Sequence, residues 1–149
     1  MPILTGAFGS TEVAHANWDA LAIGATLSGV SVTVGENIAG MDTQATLANG
    51  KITHPPELKR RVESFHKFWD KKYGDVIIQT NVEDQRLGID AYALSKLGVN
   101  IIEHKWGQGA KAIGGEVRLK DLQKAILLKN RGYLVSPDPE DPVVQQAHT

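Results

Sequence analysis

The sequence has no cysteine in 149 residues. That excludes disulfides, a thiol nucleophile, thiolate zinc and any iron–sulfur cluster ligated from within the chain. Charge of one sign is also missing. Lysine and arginine number 16 against 17 aspartates and glutamates, for a formal net charge of -1. There is thus no electrostatic footprint for nucleic acid or an anionic membrane. No apolar run approaches the roughly 20 residues of a membrane-spanning helix. The opening Met1-Pro2-Ile3-Leu4-Thr5-Gly6 is too short and too polar for a secretory signal, so the cytoplasm is the default expectation. Neither an HExxH nor a GxSxG pattern is present, and His15, His54, His66 and His148 stand at scattered spacings, so no protein-ligated metal is expected.

What is there is an alternation of two periodicities. Short β-branched runs bounded by Gly, Asn or Pro predict strands at Val30–Val34, Val76–Thr80, Asn100–His104 and Tyr133–Ser136, with a shorter one at Pro2–Leu4. Between them, Ser10 or Thr11 can cap a helix reaching about Ser28. Pro55-Pro56-Glu57 opens another, whose Leu58, Val62, Phe65, Trp69 and Tyr73 form one apolar stripe. The basic run Lys59-Arg60-Arg61 on this helix reads as its solvated outer face. Helices over about Ile89–Leu97 and Lys120–Arg131 end at Gly98 and Gly132, where a left-handed cap suits glycine. A last helical stub lies near Asp141–Ala147. Residues Gly35 to His54 read as one long irregular loop.

Strict β-α alternation predicts an α/β fold with parallel strands and crossover helices in a single domain. Two architectures satisfy it: an open doubly wound sheet, or part of a (β/α)8 barrel. A complete barrel needs about 250 residues, so this length makes little more than half of one, four to five βα units.

In parallel α/β folds the working groups sit at the carboxyl ends of strands. Four such ends are rich in glycine and polar residues: Gly6-Ala7-Phe8-Gly9-Ser10, Gly35-Glu36-Asn37, Gln79-Thr80-Asn81 and the stretch Lys105 to Lys111. Turn chemistry alone explains many glycines and asparagines. It does not explain two lysines and a glutamine within one glycine-rich stretch. If Ile102 faces the covering helices, strand alternation turns Glu103 and Lys105 to the opposite face, and Gln79 and Asn81 likewise stand opposite Val76 and Ile78. Such a mouth suits a polar planar ligand or a carboxylate, with Glu103 or Glu36 as counter-charges for the lysines. Gly6-Ala7-Phe8-Gly9 is only a loose match to a dinucleotide turn, since the third glycine and the acidic residue ending the next strand are missing.

One stretch carries a resemblance. Ile102-Glu-His-Lys105-Trp-Gly-Gln108-Gly-Ala-Lys111-Ala-Ile-Gly114-Gly115 resembles the glutamate synthase motif I-E-x-K-x-x-Q-G-A-K-P-G-x-G-G. Gly35-Glu36-Asn37 with Gly40 and Asp42 is similar to that family's G-E-G-G-E-D loop, and Gln85-Arg86-Leu87-Gly88-Ile89 to its G-R-F-G-V. Phe8-Gly9-Ser10 followed by Asp19-Ala20-Leu21-Ala22 resembles its first strand and helix. The likeness runs from about position 5 to 116 and is nearest to the stand-alone FMN-binding glutamate synthase-related proteins. The pattern is departed from in two places: Ala112-Ile113 stand where the family has Pro-Gly, and Asn37 where it has glycine.

The resemblance implies an FMN-containing (β/α)8 barrel in which reduced flavin delivers a hydride to 2-iminoglutarate, formed from 2-oxoglutarate and ammonia. It implies that Lys105 and Lys111 contact the 2-oxo acid carboxylates and the flavin, with Gln108 in the same pocket and Glu36 near the substrate. The backbone around Ala7, Phe8, Gly9 and Ser10 and the Gln79 side chain would border the isoalloxazine. The family's second half, with a glycine-rich flavin-phosphate turn and a three-cysteine motif, has no counterpart here. The expectation is therefore a fragment or truncated homologue, inactive until completed. Two other readings stay open: a non-enzymatic half-barrel that self-associates into a homo-oligomer and binds at most a small anion, and a doubly wound nucleotide- or phosphate-binding domain.

Overall fold

The computed structural model describes residues 3–106 and 118–147. They fall into two compact units, Met1–Trp106 and Gly107–Thr149. The first unit contains β1 (Leu4–Phe8), α1 (Glu12–Leu27), β2 (Ser31–Val34), α2 (Ile38–Met41), β3 (Thr46–Ala48), β4 (Lys51–His54), α3 (Pro56–His66), β5 (Val76–Thr80), α4 (Val82–Leu87), α5 (Ile89–Lys96) and β6 (Ile101–His104). The second contains α6 (Leu122–Asn130) and α7 (Pro142–Gln146).

The fold is mixed α/β, built on a four-stranded sheet of order β1-β2-β5-β6 in which every pairing is parallel. Parallel neighbours need crossovers, and the helical periodicities between the strands supply them. Val32, Val34, Val76 and Ile78 point from one face into a core with Trp18, Leu58, Val62 and Phe65, all essentially inaccessible to solvent. Trp18 donates its indole N–H to the Arg61 carbonyl at 2.9 Å, so α1 and α3 are joined by a buried bond as well as by packing.

Four sequence expectations change. The first strand is longer than Pro2–Leu4 and takes in Gly6, Ala7 and Phe8. β1 is an edge strand with a register shift between Leu4 and Ala7, a position where a glycine is tolerated. The supposed loop from Gly35 to His54 holds α2 and an antiparallel hairpin, β3–β4. Asn49 and Gly50 turn that hairpin with φ of 51° and 71°, as a two-residue type I′ turn requires.

The apolar stripe of α3 breaks off early. The helix ends at His66, and Lys71 takes φ 64°. Trp69 still packs on the core by stacking on His66, but Tyr73 is exposed. Finally, Tyr133–Ser136 forms no strand. The backbone there closes the end of α6 instead: Gly132 adopts φ 84°, and the Tyr133 N–H returns to the Leu128 carbonyl at 3.0 Å.

Local capping explains where the helices begin. Thr11 caps α1, Asp121 caps α6 and Asp141 caps α7, each accepting from a first-turn N–H. Asn81 and Asp84 make a reciprocal capping box for α4, a helix hidden in sequence between a strand and the longer α5. Among the described residues no helix is long and apolar enough to cross a membrane.

Candidate functional site at the strand carboxyl ends

The carboxyl ends of β1, β2, β5 and β6 bring together most of the residues singled out from sequence. β1 and β2 approach so closely that a Cβ on Gly35 would stand 2.7 Å from the Gly9 Cα. Only glycine fits there. The Gly35 N–H donates to the Phe8 carbonyl at 2.8 Å and fixes the approach. The next residue, Glu36, reaches over the end of β5 to β6, where its Oε1 accepts from the Lys105 ammonium at 2.8 Å. Lys105 is held in turn by its backbone N–H, which extends the β5–β6 ladder to the Thr80 carbonyl at 2.8 Å. Both side chains are partly buried, with 30% exposure for Lys105 and 20% for Glu36. The ion pair is screened less than a surface pair would be.

The strand alternation expected from sequence holds here. Gln79 and Glu103 are paired across β5 and β6, and the Gln79 amide donates to Glu103 Oε1 at 2.8 Å. Ile102 packs against the core on the other face. His104 Nδ1 lies 3.1 Å from the Thr80 hydroxyl and 2.9 Å from the Gln85 amide. Trp106 follows and is 78% exposed.

Of the other sequence candidates, Ala7 lies in β1, and Phe8 turns its ring onto Trp18 at a 6.4 Å centroid distance, into the core. Phe8 therefore offers the strand end its backbone and not its ring. Ser10 donates its hydroxyl to the Met41 sulfur at 3.3 Å. Gln108 and Lys111 lie outside the described residues.

Two residues central to this region were not recognised from sequence. Arg61, assigned to the solvated face of α3, is only 1% exposed. Its Nη1 donates to the Phe8 and Gly9 carbonyls at 3.1 and 3.0 Å, and its Nε to Glu57 Oε1 at 2.7 Å. The guanidinium lies over the Trp18 ring, 5.2 Å from its centroid. Burial pulls Arg61 below its ordinary pKa, and Glu57 opposes that pull. Glu57 also binds Arg60 and contacts His15 Nδ1 at 2.9 Å. Burial pushes the Glu57 carboxyl up, but its hydrogen bonds from Arg60, Arg61 and His15 prevail and hold it at about 2. A signal was available: Glu57 stands three and four residues before Arg60 and Arg61, the spacing of helical ion pairs.

The second is Asp84, also 1% exposed. Its Oδ2 accepts from the Asn37 N–H at 2.9 Å and the Asn81 N–H at 3.4 Å, tying the ends of β2 and β5 together. The Asn81 amide adds a bond to Asn37 Oδ1 at 3.0 Å, and Asn37 holds the left-handed conformation at φ 64°. Asparagine is one of the few side chains that accept this conformation, so position 37 holds it at little cost. Burial raises the Asp84 pKa to about 6 despite those two amide bonds, and the nearby charges of Glu36 and Glu83 push it the same way.

Among the described residues no group of three or more histidines, aspartates or glutamates is arranged to hold a metal. Among the described residues the face offers the Lys105 ammonium, a set of amide and hydroxyl groups, and backbone brought close by Gly9 and Gly35. That chemistry suits a planar ligand rich in acceptors, or a carboxylate. The chain matches no known family model, no curated protein and no solved structure.

Proposed function

We propose that the strand-end face is half of the catalytic mouth of an FMN-dependent, glutamate synthase-type (β/α)8 barrel, taking FMN and a 2-oxo acid. The observation that carries this reading is the Glu36–Lys105 pair: two residues from separate motifs of the resemblance, 69 positions apart, meet at 2.8 Å over the end of β5. The parallel order β1-β2-β5-β6 and the glycine contact between β1 and β2 are consistent with it.

The donor set fits the flavin's carbonyl edge: the Lys105 ammonium, the Gln79 amide and backbone around Gly9 and Ser10. Bound FMN would supply the hydride chemistry. Lys105 would bind the acid's carboxylate, and Glu36 holds the ammonium in place and partly neutralises it until an anion competes for it. Gln108 and Lys111 would add contacts by the same resemblance.

Titration with FMN, followed by visible absorbance and flavin fluorescence, tests the reading. Bound chromophore is expected, with affinity for FMN or for 2-oxoglutarate falling about tenfold or more in Lys105→Ala, the scale of one charge-assisted bond. No bound flavin at any concentration rejects autonomous flavin binding.

A second reading is favoured by the sheet edges. Ile3 and Leu4 at β1, and Ile101 and Trp106 at β6, are large exposed apolar side chains. A non-enzymatic half-barrel would cover such edges with a second copy. Sedimentation of the same samples separates the two, since this reading requires concentration-dependent dimers whether or not flavin binds.

A further inference from the structure

The buried guanidinium of Arg61 does more than offset a carboxylate. Glu57 already has Arg60 and His15, and Asp19 is served by Arg60 at 2.7 Å. What Arg61 alone does is bring one nitrogen, Nη1, to two consecutive backbone carbonyls, Phe8 and Gly9, at the end of β1. The Phe8 carbonyl also accepts from the Gly35 N–H, so its position is doubly determined.

Peptide planarity gives this a consequence. In a trans peptide the C=O of one residue and the N–H of the next point in opposite directions. With the carbonyls of Phe8 and Gly9 gathered onto Arg61, the N–H groups of Gly9 and Ser10 are both turned away from it. Gly9 has no side chain to restrain these planes; without the arginine the Gly35 N–H still holds the Phe8–Gly9 plane, while the Gly9–Ser10 plane loses its tie to Arg61.

We propose that Arg61 is the positioning residue of the β1 strand end: through the Phe8 and Gly9 carbonyls it orients the Gly9 and Ser10 amides toward an acceptor-bearing ligand on the strand-end face. The role of the amides rests on the reading of that face as a ligand site. The orientation itself does not. Arginine is needed because its planar fork serves Glu57 through Nε and the carbonyls through Nη1 at once, which a lysine ammonium on a flexible stem cannot do. The Trp18 ring lies beneath the guanidinium, 5.2 Å from ring centroid to its central carbon.

The test compares wild type with Arg61→Lys by amide chemical shifts and hydrogen exchange, and then by FMN affinity and visible circular dichroism. Arg61→Lys is expected to shift and broaden the Gly9 and Ser10 amides while leaving buried reference amides such as Ala93 and Val99 in place. FMN affinity is expected to drop about tenfold, with an altered flavin dichroism band. A purely structural arginine would lower the melting temperature and leave the Gly9 and Ser10 amides and the flavin spectrum of the folded protein unchanged. That result overturns the proposal. Should Arg61→Lys not fold, Glu57→Gln, which keeps an acceptor for Nε, is expected to disturb the same two amides to a smaller degree. Undisturbed amides there also overturn it. Failure of the wild type to bind FMN rejects the flavin reading, while the amide measurements still decide the role of Arg61.

Discussion

Two charge clusters in this protein use the same chemistry under different physics. In the first unit, Glu57 gathers Arg60, Arg61 and His15 between α1 and α3, with Arg61 almost wholly out of water. In the second unit, Lys129 on α6 donates to Asp138 at 2.6 Å and to Glu140 at 2.6 Å, and both carboxylates are more than half exposed. The distances are alike. Lys129 is raised and Asp138 lowered by their mutual hydrogen bond, as expected of any close pair. What differs is the alternative available to each group. A solvated ammonium released from its partner returns to water, whereas Arg61 deprived of Glu57 or of the β1 carbonyls has no water to turn to. Short distances alone therefore say little about stability. Burial of the partners decides it.

The largest effect that follows is at Arg61. Truncation in Arg61→Ala takes one donor from each of the Phe8 and Gly9 carbonyls and from Glu57 and uncovers the Trp18 face, at an expected cost of about 3–5 kcal/mol in urea unfolding. A loss under about 1 kcal/mol, the range of surface pairs, would mean that the two clusters do not differ in kind.

Asp84 sharpens the comparison from the other side, as a buried carboxyl held by the backbone amides of Asn37 and Asn81. Its folded pKa of about 6 lies above the ordinary 3.8, so the folded state holds this proton more tightly than the unfolded one. The associated stability is fully present below about pH 4 and is lost as pH rises through 6, amounting to about 3 kcal/mol by neutrality. Glu57 behaves oppositely. Held at about 2, it contributes stability above its ordinary 4.5 that disappears as pH falls toward 2. Urea unfolding of wild type and Asp84→Asn from pH 4 to 8 should give a difference that grows with pH. A constant difference would show that Asp84 stays ionised throughout.

The smallest effect belongs to the exposed cluster. Lys129→Ala should leave the melting temperature unchanged within error at 0.15 M salt, because charges that stay in water gain little from pairing. A clear drop in melting temperature would show that solvation does not separate the clusters after all.

Much of this molecule is legible along the chain. The helix caps at Thr11, Asp121 and Asp141, the buried stripe Leu58–Val62–Phe65, and the opposite facing of Ile102 and Glu103 all follow from chemistry within a few residues. The hairpin at Asn49-Gly50, expected as part of an irregular loop, carried a local signal that went unread: two residues suited to positive φ between short alternating runs specify that turn. The strand expected at Tyr133–Ser136 shows the converse. β-branched and aromatic residues favour a strand only where another strand is there to pair with, and at Tyr133 the helix end takes up the backbone first.

Residue order by itself thus determined the alternation of elements, the parallel sheet it demands and the polar character of the strand ends. Periodicity and capping act over one or two turns of chain, and the sequence displays them directly. Only the tertiary structure decided that Glu36 meets Lys105, that Asp84 clasps Asn37, and that Arg61 leaves solvent to hold the end of β1. These outcomes depend on which loops arrive at the same place and on how much water remains there. The same arginine is a solvated charge on one helix face and a buried support on another, and only the packing of α3 against α1 distinguishes them.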